Sequence, residues 1–143
     1  MSTYQHILVG LDLSENESKI VLDKAKQLAK ANQAKLSIVH VVEPLTFSYP
    51  GDIPVDLSTT QMASQKHSEE QLAKFTQAID YPLAYSKVVV GQTAPEMRQL
   101  ADDIGADLIA VGSHGRHGLA LLLGSTASDL LHGAKCDVLA IKV

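Results

Sequence analysis

The sequence is poor in the residues that mark disulfide-linked, zinc-binding and membrane proteins. It has one cysteine, no tryptophan, four tyrosines and two phenylalanines among 143 residues. A single cysteine forms no internal disulfide and cannot alone supply a cysteine-based zinc site, which fits a reducing cytoplasm. No stretch approaches the roughly 18 to 20 apolar residues of a membrane span, and the N-terminus lacks the pattern of a signal peptide. We therefore expect a cytoplasmic protein without membrane insertion.

Positive charge is also scarce. Twelve lysines and arginines stand against sixteen aspartates and glutamates, which gives a formal net charge of −4, and the sequence contains no basic tract. Because nucleic acids and anionic membranes are bound largely through cationic surfaces, neither is predicted as a partner.

Small aliphatic residues are abundant instead, and they supply most of the 45% hydrophobic content. An aliphatic core with few aromatics suits parallel strands that are buried on both faces by helices. Short aliphatic runs, each bounded by glycine, proline, aspartate or asparagine, are predicted to be strands. The five runs cover residues 6–9, 36–42, 87–90, 108–111 and 138–141.

Helix signals alternate with these runs. Ser14 to Glu17 has the form of a capping box, Ser58 and Thr93 are predicted to cap the second and third helices, and the last helix is expected over about residues 125–132. The alternation predicts one α/β domain over residues 1–143, a Rossmann-like open parallel sheet. Residues 43–57 form the one long irregular stretch, either a lid or a packed connection.

The loop after the first predicted strand contains a candidate ligand-binding carboxylate. In open α/β sheets, ligands bind beyond the carboxyl ends of the strands, where the strand order reverses. Asp12 occupies such a position and could accept a hydrogen bond from a ribose hydroxyl or a base amino group. The alternative is an aspartate that stabilises the start of the next helix through the helix dipole.

The loop after the fourth predicted strand is rich in glycine. Three glycines lie within residues 112–118, and Gly124, Ser125 and Thr126 open the last helix. Exposed backbone N–H groups in such a loop and at a helix N-terminus bind phosphate, and Arg116 could add a charge-assisted contact. The alternative is a flexible connection with an ordinary serine cap. The spacing matches neither a Walker P-loop nor the dinucleotide-binding motif.

The six histidines do not predict a metal site. His6 and His40 lie in predicted strands and are interpreted as structural, whereas His67 and His132 lie on helices. A metal site needs three or four ligands, and no carboxylate cluster lies beside the histidines of the glycine-rich loop. His114 of that loop is predicted to hold a phosphate or the loop itself.

Several segments together resemble the universal stress protein family. They are residues 7–14, 37–42, 106–116, 123–127 and 134–141, so the resemblance spans nearly the whole chain. It implies a sheet of strand order 3-2-1-4-5 and a cytoplasmic homodimer paired through the last strand, Val138 to Val143. It also implies a role in survival under starvation and other stress.

Members of this family that bind ATP carry the motif Gly-x2-Gly-x9-Gly-Ser/Thr after the fourth strand. Gly112 and Gly115 match its first two glycines, Asp12 matches an aspartate near the adenosine, and Val41 matches a residue of the base pocket. The resemblance and the loops together predict a site for ATP, alone or with Mg²⁺. Its residues are Gly10, Leu11, Asp12, Val41, Val111, Gly112, His114, Gly115, Arg116, Gly124, Ser125 and Thr126.

The third glycine of the motif departs from the family spacing, since only eight residues separate Gly115 from Gly124. Either Gly124 and Ser125 still serve, or Ser125 and Thr126 take their place. The alternative function is a family member that binds no nucleotide and acts through protein contacts as a dimer. No residue is an obvious base for activating water, so the sequence predicts at most a weak ATPase.

Overall fold

A computed structural model describes residues 3–44, 58–113 and 125–143. Strands and helices alternate, as the sequence predicts. The strands are β1 (His6–Gly10), β2 (Lys35–Val42), β3 (Leu83–Val90), β4 (Leu108–Gly112) and β5 (Asp137–Ile141). The helices are α1 (Glu15–Asn32), α2 (Ser58–Ala78), α3 (Thr93–Ile104) and α4 (Ser125–Gly133). The irregular stretch 43–57 lies almost wholly outside the described residues.

All strand pairs are parallel, and the order in the sheet is β3-β2-β1-β4-β5, which confirms the predicted topology. The central strand β1 pairs with β2 on one side and with β4 on the other. The first two crossovers carry the chain away from β1 in one direction, and the third returns it to the opposite side. The strand order therefore reverses between β1 and β4, where open α/β sheets bind ligands.

The core has two aliphatic layers, one on each face of the sheet. Residues such as Ile7 and Val9 pack beneath α1 and α2, whereas Leu8 and Ile109 pack beneath α3 and α4. No aromatic side chain belongs to the fully buried set within the described residues, and Phe75 packs only at the border of the first layer. The low aromatic content is therefore a property of a thin, doubly covered parallel sheet.

Strand β3 begins four residues earlier than its aliphatic run predicts. Leu83 and Tyr85 are half-buried, whereas Ala84 and Ser86 are exposed. An edge strand packs only part of its surface, so it needs no continuous aliphatic run, and the search for such runs missed this half of the strand.

The predicted cap of α1 is correct in place but wrong in chemistry, and the predicted cap of α3 lies one residue inside the helix. Ser14 is the residue that precedes α1, yet its hydroxyl donates to Asp12 Oδ1 at 2.7 Å and makes no capping bond to the helix. Gln92 precedes α3, and Thr93 is the first helical residue, with its hydroxyl donating to Glu43. In both cases a nearby carboxylate accepts the hydrogen bond that the hydroxyl donates, because charged acceptors form the stronger hydrogen bonds.

None of the described helices is both long and apolar enough to cross a membrane.

Candidate functional site

The carboxyl ends of β1, β2 and β4 bring part of the predicted site together. Val9 pairs with Ala110 and Gly10 pairs with Val39, so the residues that follow β1 lie between the ends of β2 and β4. The loop after β1 and the beginning of the loop after β4 therefore share this edge of the sheet.

Gly10 is required by the close approach of α3. A Cβ atom at this position would overlap Met97 Cε and would lie 2.8 Å from Met97 Sδ. Met97 is almost fully buried on the face of the sheet that α3 covers. The glycine thus allows a tightly packed helix beneath the candidate site, and its role in the described structure is packing.

Leu11 anchors the chain as it leaves the sheet. Its backbone N–H donates to the Val39 carbonyl at 3.0 Å, and its own carbonyl accepts a 2.7 Å hydrogen bond from Nδ1 of His40. Its side chain is buried in the layer beneath α1 and α2. The backbone before Asp12 is therefore fixed on both its donor and its acceptor side.

Asp12 has one carboxylate oxygen bound by Ser14 and Ser18, and one without a partner in the part of the chain that the structure describes. Oδ1 accepts hydrogen bonds from the Ser14 N–H at 3.0 Å, the Ser14 hydroxyl at 2.7 Å and the Ser18 hydroxyl at 3.0 Å. Oδ2 has no hydrogen-bond or ion-pair partner among the described residues, and the side chain is exposed. The hydrogen bonds to Oδ1 fix the orientation of the carboxylate and so of Oδ2 as an acceptor.

The Asp12 carboxyl is held in its charged form. Desolvation on the side facing the loop raises its pKa, but the hydrogen bonds from Ser14 and Ser18 outweigh this effect and hold the pKa below its ordinary value. At neutral pH the group is therefore a carboxylate, which only accepts hydrogen bonds. Its position before α1 also matches the preference of helix N-termini for negative charge.

Leu13 adopts a left-handed backbone conformation with φ 66° between Asp12 and the start of α1. A residue other than glycine in this region costs of order 1 kcal/mol or more, so the surrounding contacts must enforce it. The three hydrogen bonds to Asp12 Oδ1 close the turn over Leu13, and the Leu13 side chain packs at the border of the core. The loop is therefore preorganised.

Val41 and Val111 are core residues. Both side chains are buried in the layer beneath α3 and α4. They shape the edge of the sheet beneath the candidate site, and the ends of their strands carry the backbone toward it. Any contact of the valine side chains with a bound base would be limited to the small fraction of their surface that is exposed.

The phosphate side of the predicted site is described only at its two ends. Gly112 ends β4, and the N–H of Ser113 donates to the Ile141 carbonyl at 2.7 Å. A Cβ atom at Gly112 would lie 3.3 Å from the nearest Val21 methyl, a tight contact that requires Val21 to shift by a few tenths of an ångström. Ser125 and Thr126 begin α4. His114, Gly115, Arg116 and Gly124 lie outside the described residues.

Sequence reasoning missed the part that Ser18 and His40 play at this site. Ser18 is 1% exposed, and it lies on the buried face of α1 with Val21, Leu22 and Ala25. A polar residue on an otherwise apolar helix face is the signal that could have marked it. His40 was interpreted as structural, and its contact with Leu11 shows that it supports this loop in particular.

A separate groove of about 410 Å³ lies between α1 and α2. Its rim mixes three lysines with two carboxylates over an apolar floor. It shares no residue with the predicted site and lacks the glycine-rich backbone of a phosphate cradle. The lining residues are Leu13, Glu15, Lys19, Leu22, Asp23, Lys26, Gln71, Lys74, Phe75, Ala78 and Ile79.

Within residues 3–44, 58–113 and 125–143, no group of three or more histidine, cysteine, aspartate or glutamate side chains is arranged to hold a metal ion. Cys136 is a free thiol, half-buried against the layer beneath α3 and α4, and burial raises its pKa.

Fold and site together define an α/β protein with an open parallel sheet and a preorganised loop at its switch point. The model of the universal stress protein family matches residues 3–142. Two universal stress protein A homologues of Coxiella burnetii are 37% and 38% identical to the chain. The matches cover 96% and 100% of this chain and 96% and 98% of the homologues. The chain belongs to the universal stress protein family.

A solved relative connects this fold with an adenine nucleotide. A universal stress protein crystallised in complex with cAMP is 31% identical to this chain, with a TM-score of 0.62. The alignment covers 99% of this chain and 98% of the relative.

Proposed function

We propose that this chain, acting as one domain over residues 1–143, is a cytoplasmic stress-response protein that binds ATP, alone or with Mg²⁺, as a sensor or regulator. The observation that carries the proposal is the Asp12 carboxylate at the switch point of the sheet. Its Oδ1 is bound by Ser14 and Ser18, while Oδ2 has no partner among the described residues. Such a group recognises a donor on a ligand without first having to be ordered.

The nucleoside end of the ligand supplies suitable donors. A ribose hydroxyl or the amino group of adenine can donate to Oδ2, and the charge on Asp12 strengthens either bond. Adenine would lie toward the ends of β1, β2 and β4. Since the described core offers aliphatic rather than aromatic walls, affinity would depend on backbone geometry more than on stacking.

The phosphate end would be held by backbone N–H groups. The proposed phosphate contacts are Gly112, His114, Gly115, Arg116, Gly124, Ser125 and Thr126. Free N–H groups and the positive end of the helix dipole favour an anion where α4 begins. The relative crystallised with cAMP supports an adenine nucleotide as the ligand class.

The nucleotide proposal is tested first by identifying what the protein carries. The purified protein is denatured, and the released small molecules are identified by mass spectrometry. Refolded, nucleotide-free protein is then titrated calorimetrically with ATP and Mg²⁺. We expect saturable binding, and the absence of heat at millimolar ATP would refute the proposal.

The second candidate function is action through protein contacts as a homodimer, without nucleotide. It is favoured by β5, which pairs only with β4 within the described residues and leaves one edge open. Val138, Leu139 and Ala140 on this strand are only half-buried. An unpaired edge strand presents backbone groups that a second chain can bind. The dimer contact through Val138 to Val143 is proposed under either function.

The dimer is tested by blocking the open edge. The Ile141 carbonyl faces β4, so the backbone groups of Ala140 face the open side, because consecutive residues alternate in a strand. Ala140→Pro removes an N–H that β4 does not use. We expect the native protein to sediment as a dimer and this variant as a monomer; a native monomer would refute the contact.

A further inference from the structure

We infer that His40 is a positioning residue for the nucleotide site: its ring holds the backbone of Leu11 so that Asp12 presents Oδ2 to the ligand. The inference rests on the proposed nucleotide binding for its ligand, and on the described structure for its geometry. His40 lies in β2, 5% exposed, and belongs to the loop's support rather than to the ligand contacts.

The side chain of His40 donates the hydrogen bond that a backbone N–H of the neighbouring strand normally donates. In a regular parallel ladder, the carbonyl of a residue accepts a hydrogen bond from a backbone N–H of the neighbouring strand. At Leu11 the N–H still donates to the Val39 carbonyl, but the carbonyl accepts from His40 Nδ1 at 2.7 Å. The chain thus leaves the sheet at a residue that remains bound to β2 on both sides.

The direction of this hydrogen bond is fixed by chemistry. A carbonyl oxygen only accepts, so Nδ1 of His40 must carry a proton. In the neutral ring this selects the Nδ1–H tautomer, since the two ring nitrogens share one proton. A replacement must therefore offer a donor at the position of Nδ1 in order to keep the contact.

Two sets of contacts hold the loop, and His40 supplies one of them. After Leu11 come Asp12 and then Leu13, whose φ of 66° persists only when the backbone on both sides is fixed. The far side is fixed by the bonds that Ser14 and Ser18 donate to Asp12. Without His40, the carbonyl of Leu11 is released, and the near side of the strained turn loses its anchor.

His6 offers a matched control within the same sheet. It is also a buried strand histidine, and its Nε2 shares a 2.6 Å hydrogen bond with the Ser37 hydroxyl. It lies at the opposite end of β1 from the Asp12 loop. Removing it disrupts a comparable buried hydrogen bond without touching the loop.

The experiment compares four variants. His40→Leu removes the donor, His40→Asn places an amide N–H close to the position of Nδ1, His40→Gln places it near the position of Nε2, and His6→Leu is the control. For each variant, ATP with Mg²⁺ is titrated calorimetrically, and amide hydrogen exchange is measured across residues 12–14. Residues 104–107, which include the partner of His6 at the opposite end of the sheet, are the reference for the exchange measurement.

His40→Leu is expected to weaken ATP binding about tenfold and to raise exchange at residues 12–14 by a similar factor, the size of one lost hydrogen bond. His40→Asn should restore both readouts to within about threefold of the native values, and His40→Gln should not. His6→Leu should lower global stability and leave both readouts unchanged. If His40→Leu does not fold, the Asn and Gln variants decide the matter.

Native affinity and native exchange in His40→Leu would overturn the inference, as would equal effects from His6→Leu. If the native protein binds no ATP, the proposed function fails, and the exchange measurement alone decides the role of His40. Faster exchange confined to residues 12–14 supports the positioning role in that case, and unchanged exchange refutes it.

Discussion

Each end of the sheet carries an aspartate that accepts hydrogen bonds from the same chain, but the two carboxylates differ in how many of their oxygens accept such bonds. At the amino-terminal end, Asp107 accepts the Gln5 N–H on both oxygens, at 3.2 and 2.9 Å, and the His6 N–H on Oδ1 at 3.0 Å. At the carboxyl end, Asp12 accepts its hydrogen bonds from described residues on Oδ1 alone. Both oxygens of Asp107 thus accept hydrogen bonds from described residues, whereas only one oxygen of Asp12 does so.

Further hydrogen bonds hold the amino-terminal end of the sheet, where Asp107 lies. Asn32 accepts the N–H groups of Thr3 and Tyr4, and the Asp107 N–H donates to the His6 carbonyl at 3.0 Å. Polar groups here are satisfied by other parts of the same chain. The polar groups at one end of the sheet are thus satisfied within the chain, whereas at the other end Asp12 Oδ2 has no partner among the described residues, and we propose that it accepts a hydrogen bond from a ligand.

The largest effect is expected from Asp107→Ala. The change removes the charged acceptor of the Gln5 and His6 N–H groups, and the loss of these hydrogen bonds to a charged group lowers the free energy of unfolding by about 2 kcal/mol. Urea denaturation measures this loss. ATP affinity should remain native, because the other end of the sheet is untouched. A variant with native stability and weakened binding would reverse the comparison.

A smaller effect on stability is expected from Ser18→Ala at the ligand end. Ser18 is buried, and its hydroxyl donates one of three bonds to Asp12 Oδ1. Its loss should cost about 1 kcal/mol in the free energy of unfolding. ATP affinity should fall several-fold as Asp12 loses orientation. Calorimetric titration beside urea denaturation separates the two effects, and Ser68→Ala on α2, far from Asp12 in the sequence, is the control.

The smallest expected effect is a change in how stability depends on pH, and it concerns His6 at the amino-terminal end of the sheet. Burial, the largest cause, lowers the pKa of His6, so the folded state favours the neutral ring. Stability is therefore full above the ordinary histidine pKa of about 6.5 and declines as the pH falls through the lowered folded pKa.

His6→Gln carries no such group, and its stability should fall less than that of the native protein between pH 7 and pH 5. Urea denaturation at the two pH values measures both losses. Equal losses in the two proteins would show that His6 contributes nothing to the pH dependence.

The fold could be predicted from the sequence because each central strand is a continuous aliphatic run, and each helix between runs has its own start signal. The same logic missed residues 83–86, since an edge strand pairs without such a run. Helix starts were located correctly at Ser14, but the partner of its hydroxyl depends on the fold of the preceding loop.

Those parts of the candidate site that depend on the ends of single strands could be predicted from the sequence, whereas contacts between residues far apart in the sequence could not. Asp12 lies two residues after β1 and Gly112 is the last residue of β4, so their position at one sheet edge follows from the topology. Contacts such as His40 with Leu11 join residues 29 positions apart, and nothing in either segment indicates the other. The left-handed Leu13 was equally hidden, because leucine carries no sequence signal for that conformation.

The central claim is that Asp12 Oδ2, which has no partner among the described residues, binds the nucleotide, and Asp12→Asn tests this claim most directly. Asparagine can keep an acceptor for Ser14 and Ser18 while it replaces Oδ2 by an N–H donor. Calorimetric titration with ATP and Mg²⁺ should show at least about a tenfold loss of affinity. The control is Asp23→Asn at an exposed position of α1, which should leave the affinity unchanged. Native affinity in Asp12→Asn would contradict the account.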